Sequence, residues 1–380
     1  MAEPANPFRY GAVARGEYFA DREDELRVLT EDVRGGQDVV VVSPRRLGKT
    51  SLVERAIDDV RREGMLVAYL DLLGSPTKAE LADDLAQALS DGLLSPLGRA
   101  LDRVRDFFSQ LVVSPRITVG EDGRPQLEFL GYDVAEDADK LIAGLLELPA
   151  RVAAGGKRVA VVLDEFQEIV SIDARLPGQL RAAFQRQPEI AHVYLGSKRH
   201  LMDRLFMERA APLYRSAKPL PLGAIAPDRF IGFLRQRFAA GRIEVADGAL
   251  EYVLSLTGGL PYETQELCSF AWARARMEGR PVDEALISRA FDDLVDAESA
   301  RYVAVWDRLA AGQRALLLAL SREPGRVYAE PFRRRHKLGA ASTVQAALRA
   351  LKKLDLVETT ERGGYRLADI FLGLWLRRID

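Results

Sequence analysis

Val39–Ser51 reads VVVVSPRRLGKTS, four β-branched residues running straight into Gly48-Lys49-Thr50. An unbroken β-branched run suits a strand buried on both faces. The next residues, TSLVERAIDDV, take up helical spacing. Strand, glycine-marked loop and helix in that order is how a chain holds a nucleoside triphosphate. Backbone N–H groups of the loop and of the helix N-terminus face the phosphates and favour negative charge. The expected phosphate loop is therefore Ser43, Pro44, Arg45, Arg46, Leu47, Gly48, Lys49, Thr50 and Ser51. Lys49 is placed to reach the β- and γ-phosphates, and the Thr50 hydroxyl to ligate Mg²⁺. Ser43 stands where the pattern G-x-x-x-x-G-K-[ST] has its first glycine. Glycine tolerates positive φ and close phosphate approach, so Ser43 weakens the match without breaking it. The plain alternative is a turn with a solvated lysine.

A phosphate loop needs an acidic partner at the end of a neighbouring apolar strand. Val159–Leu163 followed by Asp164-Glu165 supplies it. Asp164 is the candidate second Mg²⁺ residue and Glu165 the candidate general base for water. Gln167 is a candidate for helping to position that water. In His192–Ser197, Ser197 sits at the tip of the next strand. Its hydroxyl could sense the γ-phosphate or simply cap the following helix. Arg215, in Pro212-Leu213-Tyr214-Arg215, precedes the last expected strand, where it is either an arginine finger or a surface ion pair.

Alternation of strands with helices through Lys218–Leu222 predicts a parallel sheet covered on both faces, an αβα sandwich. Helices are expected over Asp21–Arg34, over Leu81–Phe108 with a break near Ser95–Gly98, and over Ala138–Ala153. Ile117–Phe129 alternates around Gly-Glu-Asp-Gly, a hairpin signal within an insertion near 113–131. From about Asp228 the pattern turns helical: Arg229–Ala240, Asp247–Leu256, Pro261–Met277 and Val282–Ala300 form a small bundle. Beyond it, Trp306–Ser321, Glu330–Lys337 and Ser342–Leu354 precede a Gly363-Gly364 turn and a last helix, Ile370–Ile379. Three helices and a glycine-tipped hairpin follow the order of a winged helix. The domains read as 1–222, 223–300 and 301–380.

With 48% hydrophobic and 29% charged residues over 380, the composition is that of an ordinary globular protein. A net charge of −2 gives the whole chain no nucleic-acid or membrane signature, so any DNA contact has to come from a local patch. One such patch is Arg333-Arg334-Arg335-His336-Lys337 with Arg349, Lys352 and Lys353. The single Cys268 excludes an intramolecular disulfide and fits a reducing cytoplasm. The start of the chain carries no apolar signal-like run, and none elsewhere approaches the roughly 18 residues of a membrane helix. The expectation is a cytoplasmic protein with no membrane partner. Three histidines and one cysteine argue against zinc.

Taken together these residues resemble the AAA+-related ATPases first noted as an archaeal-type family, related to the STAND and origin-recognition-like P-loop ATPases. The resemblance rests on Asn6-Pro7-Phe8 with Tyr10-Gly11, Phe19-Ala20-Asp21-Arg22-Glu23, Pro44–Leu52 and Leu163–Gln167. It extends through Gly196-Ser197, Pro212–Arg215, Gly258-Gly259-Leu260-Pro261, and Tyr365-Arg366-Leu367 with Asp369 and Trp375. It implies an ATPase core, a helical lid and a winged helix, with adenine held by the N-terminal segment and the lid, hence by Phe19, Arg22 and Pro261. On this reading the chain binds ATP and Mg²⁺ and hydrolyses ATP slowly, acting on a protein or DNA partner, with self-assembly left open. Two rivals stand beside it. One is a switch that binds ATP without hydrolysis; the other is a DNA-binding regulator working through the winged helix.

Overall fold

The computed structural model describes residues 5–43, 46–94, 116–119, 125–128, 134–360 and 363–380. They form two compact units, Gly11–Ile225 and the residues up to Tyr10 together with Ala226–Asp380.

The first unit is built on a parallel sheet of strands β1 (Val39–Val42), β2 (Leu66–Asp71), β5 (Val159–Asp164), β6 (Ala191–Gly196) and β7 (Lys218–Pro221). Their spatial order is β2-β5-β6-β1-β7. Thus β6 separates the strand that leads into the phosphate loop from the strand that carries Asp164. Register aligns the carboxyl ends: Val42 pairs with Gly196 and Pro221, and Asp164 with Asp71. A crevice at those ends, where strand order reverses, is where open α/β sheets bind ligands.

Both faces of β5 and β6 are buried, which is why their sequences are apolar without alternation. Helices α1 (Glu23–Arg34) and α2 (Lys49–Arg62) cover one face, closing a core of Leu29, Leu52, Val60, Val67 and Val162. Helix α1 opens on Glu23, Asp24 and Glu25 and closes on Arg34, which suits the dipole at each end. Helix α3 (Lys78–Leu89) and the helices over 134–154 and 176–184 cover the other face. A capping box sets the start of α3, with Thr77 and Glu80 each taking the other's backbone N–H.

The helix expected over Ala138–Ala153 is two, Val134–Leu145 and Leu148–Ala154. Pro149 lies in the first turn of the second, where its missing N–H costs nothing. β3 (Arg116–Val119) and β4 (Pro125–Glu128) pair antiparallel, Ile117 opposite Leu127. The Gly-Glu-Asp-Gly turn between them and the predicted break at Ser95–Gly98 lie outside the described residues.

The second unit carries the helices Pro227–Ala240, Ala249–Thr257, Pro261–Glu278 and Glu284–Asp307. The last is longer than its sequence signal and contains Trp306, which was expected to open the next helix. That next helix is Ala311–Arg322, with the Gln313 carboxamide accepting the Ala310 N–H at its start. The helices Glu330–Arg335 and Ala341–Lys353, the hairpin β8 (Val357–Thr359) and β9 (Tyr365–Leu367), and the helix Ile370–Ile379 complete it.

Residues 5–10, expected with the ATPase core, pack instead within this unit. Asn6 donates to Ser269 Oγ at 2.8 Å, Arg237 to the Pro7 carbonyl at 3.0 Å, and Phe8 lies 4.6 Å from Phe238. The chain therefore crosses between units twice, at 10–11 and at 225–226.

Candidate active site

The carboxyl ends of β1, β5 and β6 bring together Lys49, Thr50, Asp164, Glu165, Gln167 and Ser197. Gly48 caps α2 with φ of +81°, a left-handed conformation that glycine adopts at no steric cost. Among the described residues, those with positive φ other than glycine do not include Ser43. The missing first glycine therefore costs no backbone strain at that position. Ser43 is buried, and its N–H reaches the Gly196 carbonyl of β6 at 3.4 Å. Pro44 and Arg45 lie outside the described residues. Arg46 takes φ of +69°, and Leu47 is buried.

Lys49 is only 6% exposed, yet its Nζ stands 3.8 Å from Glu165 Oε1, a loose pair. A buried cation is costly unless it is paired, and phosphate is the anion that completes such a site. Thr50 Oγ1 lies 3.4 Å from Asp164 Oδ2. A hydroxyl and one carboxylate suit Mg²⁺, which keeps several waters and takes its remaining oxygens from substrate phosphates. The described residues thus fit the ion through Thr50 and Asp164.

Glu165 sits at φ of +47° and is held from three sides. Its Oε2 accepts from Ser197 Oγ at 2.8 Å and from the Gln167 amide, while Oε1 faces Lys49. Gln167, 1% exposed, also accepts the Ser197 N–H. Ser197 is not a helix cap, because the next helix starts at Arg199 with Lys198 ahead of it. Its hydroxyl goes to Glu165 instead. Gly196 permits this crowding, since a Cβ there would stand 2.4 Å from Met202 and 2.9 Å from the Gln167 carboxamide oxygen.

Other candidates fall differently. Ser51 Oγ accepts the Ala14 N–H at 3.0 Å, tying the N-terminal segment to the first turn of α2. Arg22 is 4% exposed, with its guanidinium on the carbonyls of Leu47 (3.2 Å) and Gly223 (2.7 Å) and on Glu25. It braces the phosphate loop from behind. Phe19 is half-buried against the α1–α2 core. Pro261 opens a helix of the second unit after Gly258 and Gly259, both at positive φ. Arg215 is exposed at φ of +55°, 5.5 Å from the Tyr214 ring. Among the described residues it makes no ion pair with Glu165 or Asp164. Among the described residues eight other than glycine have positive φ, and Arg22, Arg46, Glu165 and Arg215 are four of them. Such conformations persist where the surroundings over-determine them, commonly at sites.

Two residues were missed. Tyr69 donates its hydroxyl to Asp164 Oδ2 at 2.5 Å, and burial, reinforced by Asp164, pushes its phenol far up. Asp71, aligned with Asp164, has its carboxyl raised by desolvation, opposed by the Leu73 N–H and raised further by Asp164 and Glu165. Tyr69 and Asp71 stand two residues apart on β2 and so share a face, but the pairing of β2 with β5 that brings them to Asp164 is a tertiary fact.

A parallel sheet covered on both faces, a phosphate loop after β1 and paired carboxylates at the end of β5 define a P-loop NTPase core of the AAA+ kind. The chain belongs to the ATPase family described as predominantly archaeal, whose domain model matches residues 19–267. A model described as a probable winged helix domain matches residues 300–378. No curated protein sequence matches the chain. Among solved structures, a Walker-type ATPase of Pyrococcus abyssi (paby2304) superposes with TM-score 0.63 at 18% identity, over 98% of this chain and 99% of that one. The Aeropyrum pernix ORC1 protein in complex with DNA gives 0.54 at 15% identity, over 98% and 97%. The Aeropyrum pernix ORC2 protein in its ADPNP–ADP complexes gives 0.50 at 14%, over 99% and 98%. At such identities the likeness is one of fold.

Proposed function

We propose that this protein is an ATPase that hydrolyses the β–γ bond of ATP and couples it to conformational change. The observation that carries the reading is the convergence of Lys49, Thr50, Asp164, Glu165 and Ser197 at the carboxyl ends of neighbouring strands of the sheet. Amides of the phosphate loop and Lys49 bind the phosphates, with Lys49 leaving Glu165 for the stronger anion. Thr50 and Asp164 would hold Mg²⁺, which when bound would neutralise charge on the phosphate oxygens. Glu165 Oε1 orients the attacking water and takes its proton as the bond to the bridging oxygen breaks. Ser197 and Gln167 fix Glu165 in register for that role. The ADPNP–ADP complexes of the Aeropyrum pernix ORC2 protein support a nucleotide as ligand here.

Glu165→Gln tests the reading against a switch that binds without hydrolysis. ATP affinity should persist while single-turnover hydrolysis falls roughly 10²-fold or more. Wild-type protein that binds ATP and never cleaves it would leave the switch standing.

A second reading, duplex DNA binding through the winged helix, draws on the DNA complex of the Aeropyrum pernix ORC1 protein. It also draws on Lys337, Arg349 and Lys353, which carry no ion pair among the described residues and are exposed.

A further inference from the structure

The ATPase reading assigns Asp164 a metal and Glu165 a water, but it leaves the Tyr69 hydroxyl without a task. Tyr69 lies on β2, on the sheet face that α1 and α2 cover, half-buried against an apolar core of valine, leucine and alanine. Phenylalanine would fill that space equally well. The hydroxyl nevertheless reaches Asp164 Oδ2 at 2.5 Å, a short O–H···O⁻ bond of the charge-assisted kind.

Both oxygens of Asp164 are engaged. Oδ1 accepts the Glu165 N–H at 2.7 Å, and Oδ2 takes the Tyr69 hydroxyl while facing Thr50 Oγ1 at 3.4 Å. The two donors come from different places, one from the turn after β5 and one from the neighbouring strand. Together they fix the plane of the carboxylate. An ionised carboxylate has about four lone-pair sites, so two donors leave capacity for a metal-bound water. Asp164 is 5% exposed, so bulk water is a poor substitute for the phenol.

We propose that Tyr69 is a positioning residue for the metal half of the site, its hydroxyl holding the Asp164 carboxylate turned toward Thr50. It acts through Asp164 and touches no reacting atom. This rests on the nucleotide reading above and goes beyond it by assigning a role to a strand that contributes neither phosphate loop nor base. Groups of this outer kind commonly carry 10- to 100-fold in metal affinity when removed.

The test uses the full chain and a fluorescent ATP analogue, titrated with Mg²⁺ at fixed nucleotide and also in EDTA. Tyr69→Phe should raise the Mg²⁺ concentration at half-maximal binding about tenfold or more, while affinity in EDTA stays as in the wild type. In an Asp164→Asn background, adding Tyr69→Phe should produce no further shift, because the carboxylate it positions is gone. An unchanged Mg²⁺ requirement in Tyr69→Phe overturns the proposal, whether or not its thermal stability falls. A further shift of the same size in the Asp164→Asn background overturns it as well, since Tyr69 would then act elsewhere. Wild-type protein whose nucleotide binding ignores Mg²⁺ sinks the metal assignment itself, a different failure from the first.

Discussion

Lys49 and the run Arg333–Lys337 both announce themselves in sequence as positive charge, and the fold treats them differently. Lys49 is buried, with Glu165 its loose partner at 3.8 Å. The basic run is dispersed among local partners. Arg334 pairs with Glu330 one turn away, Arg335 at 2.6 Å and His336 at 2.9 Å share Glu323, and Arg333 caps the carbonyls of Tyr328 and Gly339. Those two contacts hold the Glu323 carboxyl below its ordinary range, His336 more than Arg335. One buried charge with a loose partner marks a ligand site more sharply than exposed arginines such as Arg334 and Arg335 with close ones. Exposed pairs are individually weak, so their arrangement reports the surface, whereas a buried lysine has to be answered by an anion.

Three experiments would break or sharpen that contrast. The largest effect is expected at Arg215, exposed and at positive φ just ahead of β7, at the amino end of the sheet. If it is an arginine finger, Arg215→Ala keeps ATP affinity and loses about 10³-fold in turnover, because a finger acts on charge that grows in the transition state. Acting in trans, it makes wild-type specific activity rise with protein concentration. Activity then also recovers when Arg215→Ala is mixed with Lys49→Ala, as the intact loop of one mutant borrows the arginine of the other. Concentration-independent activity with no recovery removes the trans assignment. Next in size is Lys49→Ala, which should weaken ATP binding by about 100-fold or more in calorimetry through loss of a charge-assisted contact in a buried site. Unchanged affinity would dissolve the distinction between the two regions. The smallest effect is at Glu323. Glu323→Ala frees Arg335 and His336, so if the winged helix meets duplex DNA, affinity at low salt should rise about threefold with a salt slope steeper by about one charge. A fall in binding, or none to measure, would show that the basic run serves the domain alone.

The phosphate loop and the carboxylate strand were legible because their neighbours are extreme. A strand buried on both faces can carry only apolar residues, so Val39–Val42 and Val159–Leu163 stand out and mark the polar residues at the end of each. The two roles open for Ser197, γ-phosphate sensor and helix cap, could not be separated by spacing, since a hydroxyl at a strand tip serves either equally well. Its 2.8 Å contact with Glu165 Oε2 makes the choice of partner. Arg22 was legible only as part of a family pattern, and its contacts run to two carbonyls behind the loop. The helix division at Pro149 was present in the sequence but outweighed by the apolar periodicity around it.

By itself the sequence determined the phosphate loop, the carboxylate pair after an apolar strand and the change to helices from about Asp228, because each is written in contiguous residues with one physical reading. Tertiary structure alone decided that β6 lies between β1 and β5, that β2 lies in register with β5, and that residues 5–10 pack on Ser269 and Phe238. Each of those joins positions far apart in the chain. Strand order and register come from how helices cover both faces of a twisted sheet, a balance summed over the whole core that no local stretch encodes. That is why Asp164 could be named from sequence while the hydroxyl that holds it, on a strand 95 residues away, could not.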